Sequence, residues 1–132
     1  MIMCKLVSLK TNYGAKINVA DIKKDCISNI VNQAEQCNKI ECIILFGSSL
    51  EERCKDYSDI DIAIISSLTK SRLFRLASYD KFTTDIYSKN IEQDYDILQF
   101  TSWEDIANRN DSICREIIEK GKIIYKRRIP NV

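Results

Sequence analysis

The chain has 132 residues, a length typical of one domain with a single hydrophobic core. Hydrophobic residues make up 45% and charged residues 30%, which is typical of a globular protein rather than of a disordered one. Lys and Arg (20) nearly balance Asp and Glu (19), so the formal net charge of +1 argues against a dedicated nucleic-acid or polybasic membrane binder. The sequence contains no His, which excludes Ser–His and Cys–His catalysis and zinc sites built on His.

The six cysteines include no Cys-x-x-Cys pair, so neither a structural zinc site nor a thioredoxin-type dithiol is expected. Four of them occupy positions where apolar residues are expected: Cys26, Cys37, Cys42 and Cys114. Met1–Lys10 lacks the pattern of a signal peptide, and the apolar runs are far shorter than the roughly 20 residues of a membrane helix. We therefore expect buried free thiols, a cytoplasmic location and no membrane partner.

The first predicted elements lead into a glycine–serine sequence. Apolar residues recur at helical spacing over 18–38 and predict a helix whose inward stripe begins at Ile22. Ile40–Phe46 is a compact apolar run with β-branched residues and predicts a buried strand. Gly47-Ser48-Ser49 then predicts a turn, and a short helical stretch is expected over Glu51–Lys55.

The second half of the chain alternates strands and helices. Ile60–Ile65 and Tyr95–Phe100 predict two further strands, with a helix over residues 71–90 between them. Shorter elements follow: a helix capped at Thr101/Ser102 that contains Trp103, a helix over 111–120 with Ile113, Cys114, Ile117 and Ile118 inward, a strand over Ile123–Tyr125 and a solvated basic tail, Lys126–Arg128. Connections of unequal length between these elements predict an α/β (α+β) domain with a mixed sheet.

Two aspartates at the start of the second strand indicate chemistry. Asp59 and Asp61 are two residues apart, so their carboxylates share one face of the strand. Neighbouring carboxylates repel each other unless a cation lies between them. Mg²⁺ fits this role, because it binds one or two carboxylates together with water and phosphate oxygens. The pair therefore favours metal-dependent phosphoryl or nucleotidyl transfer.

The glycine–serine corner and a third carboxylate complete the candidate site. Gly47 lets the backbone approach a phosphate, Ser48 offers a hydroxyl, and Ser49 belongs to the same corner. Asp96 is the candidate third carboxylate, because an ionised side chain is unfavourable inside an apolar strand unless it has a function. Asp94 shares its face and is the alternative.

Gly-Ser followed after ten residues by Asp-x-Asp, between apolar strands, resembles the signature of the DNA polymerase β-type nucleotidyltransferase superfamily. The sequence Glu119–Tyr125 is similar to its minimal branch. The resemblance implies one nucleotidyltransferase domain over residues 1–132, with a core at about 18–126 and a mixed sheet backed by helices. It implies transfer of AMP, or another nucleoside monophosphate, from ATP or another NTP to a hydroxyl, with a two-ion Mg²⁺ site. By position, the implied nucleotide-binding residues are Gly47, Ser48 and Ser49, and the implied catalytic metal ligands are Asp59, Asp61 and Asp96.

The resemblance also implies a partner. Minimal relatives often act as antitoxins that modify a tyrosine of a HEPN-type toxin, so we expect a protein or small-molecule acceptor, and a homo- or hetero-oligomer, rather than nucleic acid. Glu51 and Glu52 stand where many relatives have a basic residue and then Gly. This departure favours an alternative, a weakly active or inactive binding module that acts by contact. The cations available for the triphosphate are Arg53, Lys55, Lys70, Arg72 and Arg75.

Overall fold

The computed structural model describes residues 3–128 of the chain. The strands within this range are β1 (Leu6–Lys10), β2 (Lys16–Ala20), β3 (Cys42–Phe46), β4 (Ile60–Ile65), β5 (Tyr95–Phe100) and β6 (Lys122–Lys126). The helices are α1 (Lys24–Ala34), α2 (Lys70–Phe74), α3 (Ala77–Ser88), α4 (Trp103–Asn108) and α5 (Ser112–Lys120), and 3₁₀ turns lie at Asp21–Lys23 and Gly47–Leu50.

Four strands form one mixed sheet in the order β5-β4-β3-β6. Strand β3 runs antiparallel to β4 and β6, whereas β4 and β5 are parallel and are connected through α2 and α3. A parallel pair needs such a crossover because the chain must return to the same end of the sheet. The predicted class, a single α/β (α+β) domain whose mixed sheet is backed by helices, is confirmed.

Helices cover both faces of this sheet. Alternate residues of β4 separate into two apolar clusters, because successive side chains of a strand point to opposite faces. Ile60, Ile62 and Ile64 pack in the cluster that contains residues of α1 and α3. Ala63 and Ile65 pack on the opposite face, beneath α4 and α5. The second face also carries Asp61, which places it on the side of α5.

The amino-terminal segment forms a hairpin that the sequence analysis missed. Strands β1 and β2 pair antiparallel, and Gly14 with φ +91° lies in the turn between them. The hydroxyl of Tyr13 donates to the carbonyl of Ile123 at 2.9 Å, which ties the turn to β6. The predicted helix over 18–38 is therefore wrong at its start, because β2 occupies its first residues and α1 begins at Lys24.

Other predicted helices differ in detail. The prediction that Ile22 faces inward is wrong: it is 44% exposed, because the 3₁₀ turn directs Lys23 inward instead. The short helical turn lies at Gly47–Leu50 rather than over 51–55, since Glu51 has extended backbone. The helix predicted over 71–90 is divided into α2 and α3, because Leu76 has extended backbone and packs against the core.

The carboxyl-terminal elements also need correction. Ile113 and Ile118 of α5 are 51% and 48% exposed rather than inward, because this short helix covers the sheet only through Cys114 and Ile117. The expected basic tail is partly structural: Lys126 belongs to β6, and Arg127 donates to the carbonyls of Ile40 and Cys37.

The cysteine prediction is confirmed. All six thiols are free, five of them are buried, and Cys4 is half-buried. None of the helices formed by residues 3–128 has the length and apolar character required to cross a membrane.

Candidate active site

The glycine–serine corner lies directly after the buried strand β3. Gly47 has φ +79°, a left-handed conformation that other residues adopt only with strain. A Cβ atom at this position would overlap the carboxylate Oδ2 of Asp61 and lie 3.2 Å from its Cγ. The missing side chain of Gly47 thus makes room for the Asp61 carboxylate against the backbone of the corner.

The sheet brings the predicted carboxylates to this corner. Asp61 is the register partner of Phe46 on β3 and of Asp96 on β5. Neighbouring strands lie about 4.8 Å apart, so Asp61 and Asp96 extend side by side on one face. Asp59 precedes Asp61 by two residues, just before β4 begins.

The pKa of Asp61 reflects its proximity to the other carboxylates. Burial raises the pKa of Asp61 to about 6, assisted by the negative charges of Asp96, Asp59 and Glu116. A carboxyl group whose charged form is disfavoured by three neighbouring carboxylates is suited to a cation that would relieve the repulsion. Glu116 of α5 is a fourth member of the cluster, which the sequence analysis did not identify.

Two of the acidic side chains are more accessible than the sequence suggested. The premise that Asp96 is buried in an apolar strand is wrong, because β5 is an edge strand and Asp96 is exposed. Asp59 is exposed as well, whereas Asp61 is half-buried. Asp94, the alternative to Asp96, is also exposed but lies before β5 begins. Access at Asp96 suits a residue that meets an incoming acceptor.

The two serines of the corner differ in their surroundings. Ser48 is half-buried, and its hydroxyl contacts the thiol of Cys54 at 3.9 Å. Ser49 is fully buried, and its Oγ has no hydrogen-bond partner within residues 3–128. An unpaired buried hydroxyl is unfavourable, and an oxygen-rich ligand at the corner is one means of pairing it.

A groove of about 410 Å³ opens beside Gly47. It is lined by residues of both charges and a few apolar ones: Leu6, Asn18, Gly47, Leu50, Glu51, Glu116, Glu119, Lys120 and Lys122. Strand β6 carries Lys122 opposite Leu45, two residues before Gly47. Neither Lys120 nor Lys122 was among the predicted phosphate-binding cations, since only the pairing of β6 with β3 brings them to the corner.

The negative charge of the two glutamates that follow the corner is partly compensated. Glu51 lines the groove and forms an ion pair with Arg53, whereas Glu52 is exposed. An exposed pair of this kind contributes little to stability, but it leaves Arg53 engaged with a carboxylate. Of the cations predicted from sequence, Arg53 is therefore not available to a phosphate unless this pair opens.

The donor chemistry of the cluster fits Mg²⁺. The converging groups are carboxylates, the hard oxygen ligands that Mg²⁺ prefers. No group of three or more His, Cys, Asp or Glu side chains within residues 3–128 is arranged to hold an ion by itself. Mg²⁺ commonly takes only one or two carboxylates and completes its shell with water and substrate phosphates, so the arrangement agrees with metal binding together with a nucleotide.

The raised pKa of Asp61 predicts how stability depends on pH. The folded state binds the Asp61 proton more tightly than the unfolded state, so the contribution of Asp61 to stability is fully present below about pH 4 and is lost as the pH rises through about 6. In metal-free buffer at pH 8, we expect D61N to melt a few degrees above the native protein. This corresponds to a gain of about 1 kcal/mol in the free energy of unfolding after allowance for solvent screening. Addition of Mg²⁺ together with ATP should raise the melting temperature of the native protein more than that of D61N. Equal melting temperatures of D61N and the native protein without metal at pH 8 would show that the charge of Asp61 is not unfavourable in the folded state.

Comparison with known families identifies the fold. The model of the family "Polymerase beta, Nucleotidyltransferase" matches residues 28–129. The chain therefore belongs to the polymerase β nucleotidyltransferase family and is a nucleotidyltransferase enzyme. The resemblance found in the sequence is confirmed at this level.

Two solved structures are similar to the chain. The first is a mutant of the toxin–antitoxin MntA-HpeT, with 17% identity, coverage of 76% of this chain and 73% of that chain, and a TM-score of 0.52. The second is a tri-AMPylated Shewanella oneidensis HEPN toxin in complex with MNT antitoxin, with 19% identity and a TM-score of 0.48. The match covers 80% of this chain and 73% of that chain. The first likeness supports the fold. No curated protein sequence matches at a significant level.

Proposed function

We propose that the protein transfers a nucleoside monophosphate, AMP from ATP, to a hydroxyl group of an acceptor. The observation that carries the proposal is the contact between the glycine–serine corner and the carboxylate cluster. Gly47 leaves space for the carboxylate of Asp61, so a phosphate chain on the corner would meet the acidic side chains directly. The family supports a nucleotidyl transfer reaction.

Each residue of the site has a proposed role. The backbone of Gly47 and the hydroxyl of Ser48 bind phosphate oxygens, and Ser49 supports the corner from within. The carboxylates that would hold Mg²⁺, together with water and phosphate oxygens, are those of Asp59, Asp61 and Asp96. When bound, Mg²⁺ supplies positive charge that offsets the negative charge of the phosphates during transfer.

The exposed carboxylate of Asp96 has a second role in this proposal. It orients the acceptor hydroxyl and accepts its proton, while the hydroxyl oxygen forms a bond to the α-phosphorus. The bond from the α-phosphorus to the bridging oxygen breaks at the same centre, and pyrophosphate leaves with the electron pair. Exposure of Asp96 at the edge strand supports this assignment, because a large acceptor can reach it.

The proposed acceptor is a HEPN-type toxin, which the protein would neutralise as an antitoxin in the cytoplasm. The fold likeness to the MntA-HpeT toxin–antitoxin system supports a toxin as partner. The resemblance of Glu119–Tyr125 to the minimal branch of the superfamily favours the HEPN type.

Labelled transfer tests the proposal. The protein is incubated with ATP labelled at the α-phosphate, Mg²⁺ and a co-encoded HEPN-type protein, and the label on each chain is measured. We expect label on the partner, and loss of that label when Mg²⁺ is chelated. Absence of label on the partner under these conditions, with both proteins folded, contradicts the proposal.

The position of Glu51 favours one competing function, a binding module that acts by contact. Glu51 lines the groove beside Gly47, where its charge opposes that of a triphosphate. Calorimetry separates the two functions. Binding of Mg²⁺-ATP supports the enzyme, whereas tight binding of the partner without detectable nucleotide binding supports the module.

Lys122 provides a prediction for nucleotide affinity. We expect K122M to raise the KM for ATP about tenfold with a smaller change in kcat, because a charge-assisted contact to a phosphate is removed. The matched control is K126M, a lysine of the same strand that lies over the ring of Tyr13 at the other end of β6. Steady-state kinetics with varied ATP check this, and equal KM values for the two variants would remove Lys122 from the site.

A further inference from the structure

Lys23 is a buried cation that the proposed chemistry does not use. It ends the 3₁₀ turn Asp21–Lys23 and is only 1% exposed. Lysine is almost never fully buried unless its charge is paired. No salt bridge within residues 3–128 involves Lys23. Hydrogen bonds must therefore compensate for burying its charge.

All three donors of the ammonium group are used. Nζ of Lys23 donates to the carbonyl of Asp56 at 2.9 Å, to the carbonyl of Ser58 at 2.7 Å and to Oε1 of Gln93 at 2.6 Å. An ammonium has three N–H groups, so its hydrogen-bonding capacity is filled. Two of these contacts hold the loop that leads into Asp59.

Gln93 extends the same network to the next strand. Its side chain is buried, and Nε2 donates to the carbonyls of Ser58 at 3.0 Å and Asp94 at 2.6 Å. The carbonyl of Asp94 also accepts from the backbone N–H of Ile60 at 3.1 Å. One ammonium and one amide thus connect the segments that enter β4 and β5.

We propose that Lys23 is a positioning residue that fixes the spacing between Asp59, just before β4, and the paired carboxylates of Asp61 and Asp96. Asp59 precedes β4 and lies outside the register of β4 with β5, so the peptide that leads into it is held through the Ser58 carbonyl by Lys23 rather than by the sheet. A Mg²⁺ site needs near-ideal geometry and is sensitive to such spacing. The proposal rests on the metal-binding role of these carboxylates given under the proposed function.

Two measurements on full-length variants test it. The first is Mg²⁺ binding by calorimetry with ATP present and no acceptor, because these carboxylates are not arranged to hold an ion by themselves. The second is hydrogen–deuterium exchange of the Ile60 amide, whose acceptor belongs to the network. K23M keeps most of the buried stem and removes the donors. We expect Mg²⁺ affinity to fall about tenfold or more, as for other supporting residues of metal sites, and the Ile60 amide to exchange at least about tenfold faster.

Controls separate positioning from general loss of stability. K24M changes an exposed lysine next in sequence, and I27A removes buried side-chain volume from α1. We expect both to keep native Mg²⁺ affinity, and I27A to lower the melting temperature without selective exchange at Ile60. If K23M does not fold, Q93M replaces it, because Gln93 is the second half of the network.

The outcomes are distinct. Faster exchange at Ile60 together with weaker Mg²⁺ binding supports the proposal. Exchange in K23M and Q93M no faster than in I27A overturns it, and so does native Mg²⁺ affinity in both variants. If the native protein binds no Mg²⁺ in this measurement, the metal role in the proposed function fails, and so does the positioning of a metal site by Lys23. The exchange data still report whether Lys23 holds the segments that enter β4 and β5.

Discussion

D61N is expected to lower the rate of nucleotidyl transfer on the order of 10³-fold. Asp61 lies at the centre of the cluster, between the corner and Asp96, so neighbouring residues are badly placed to replace its carboxylate in the proposed metal site. A metal ion contributes several kcal/mol of transition-state stabilisation, which corresponds to a loss of this size when its binding is disrupted. The measurement is single-turnover transfer of labelled AMP at saturating ATP and Mg²⁺.

Folding is controlled in the same experiment. The variant removes a charge from a crowded acidic cluster, so loss of activity should accompany an unchanged or higher melting temperature in metal-free buffer. E41Q is the matched control, since Glu41 is an exposed carboxylate next to the opposite end of β3 and should retain native activity. Retention of more than about a tenth of native activity in D61N would remove Asp61 from the catalytic assignment.

Local sequence pattern was sufficient for the centre of the fold. Ile40–Phe46 and Ile60–Ile65 are dense in β-branched residues, so their strands were predicted with nearly correct bounds. The period of two then placed Asp59 and Asp61 on one side without tertiary information. Asp96 was found because a carboxylate in an apolar strand is unusual, although the reason is exposure at an edge rather than burial.

Other parts depend on contacts between distant segments. The β1–β2 hairpin has only five residues in each strand and mixes polar with apolar positions, so its periodicity is weak. Glu116 is a polar position of the predicted helix over 111–120, and Lys122 precedes the predicted strand Ile123–Tyr125. Only the order of the strands in the sheet brings both residues beside Gly47. Lys23 is not identified from the sequence, because a hydrogen-bonded interior position leaves no mark in a pattern of charges.

G47A is expected to lower transfer at least about 100-fold and to reduce stability by about 1–3 kcal/mol. The stability loss arises from a side chain in a left-handed conformation and from overlap of the new Cβ with the Asp61 carboxylate, and the rate loss arises because that overlap displaces the carboxylate. A displacement of about 1 Å at a reacting centre is enough for a rate loss of this size. Urea unfolding and single-turnover transfer measure the two effects separately.

Gly14 offers a control with the same backbone strain and no overlap. Its φ is +91°, and a Cβ there would have no atom within 4 Å, so G14A should lose less stability than G47A and keep native activity. A double-mutant cycle then isolates the contact with Asp61. Because D61A removes the overlapping carboxylate, G47A should cost no more stability in the D61A background than G14A costs in the native protein. A stability loss from G47A that is the same with and without Asp61 would show that the corner and the carboxylate do not meet, and the proposed site would lose its central contact.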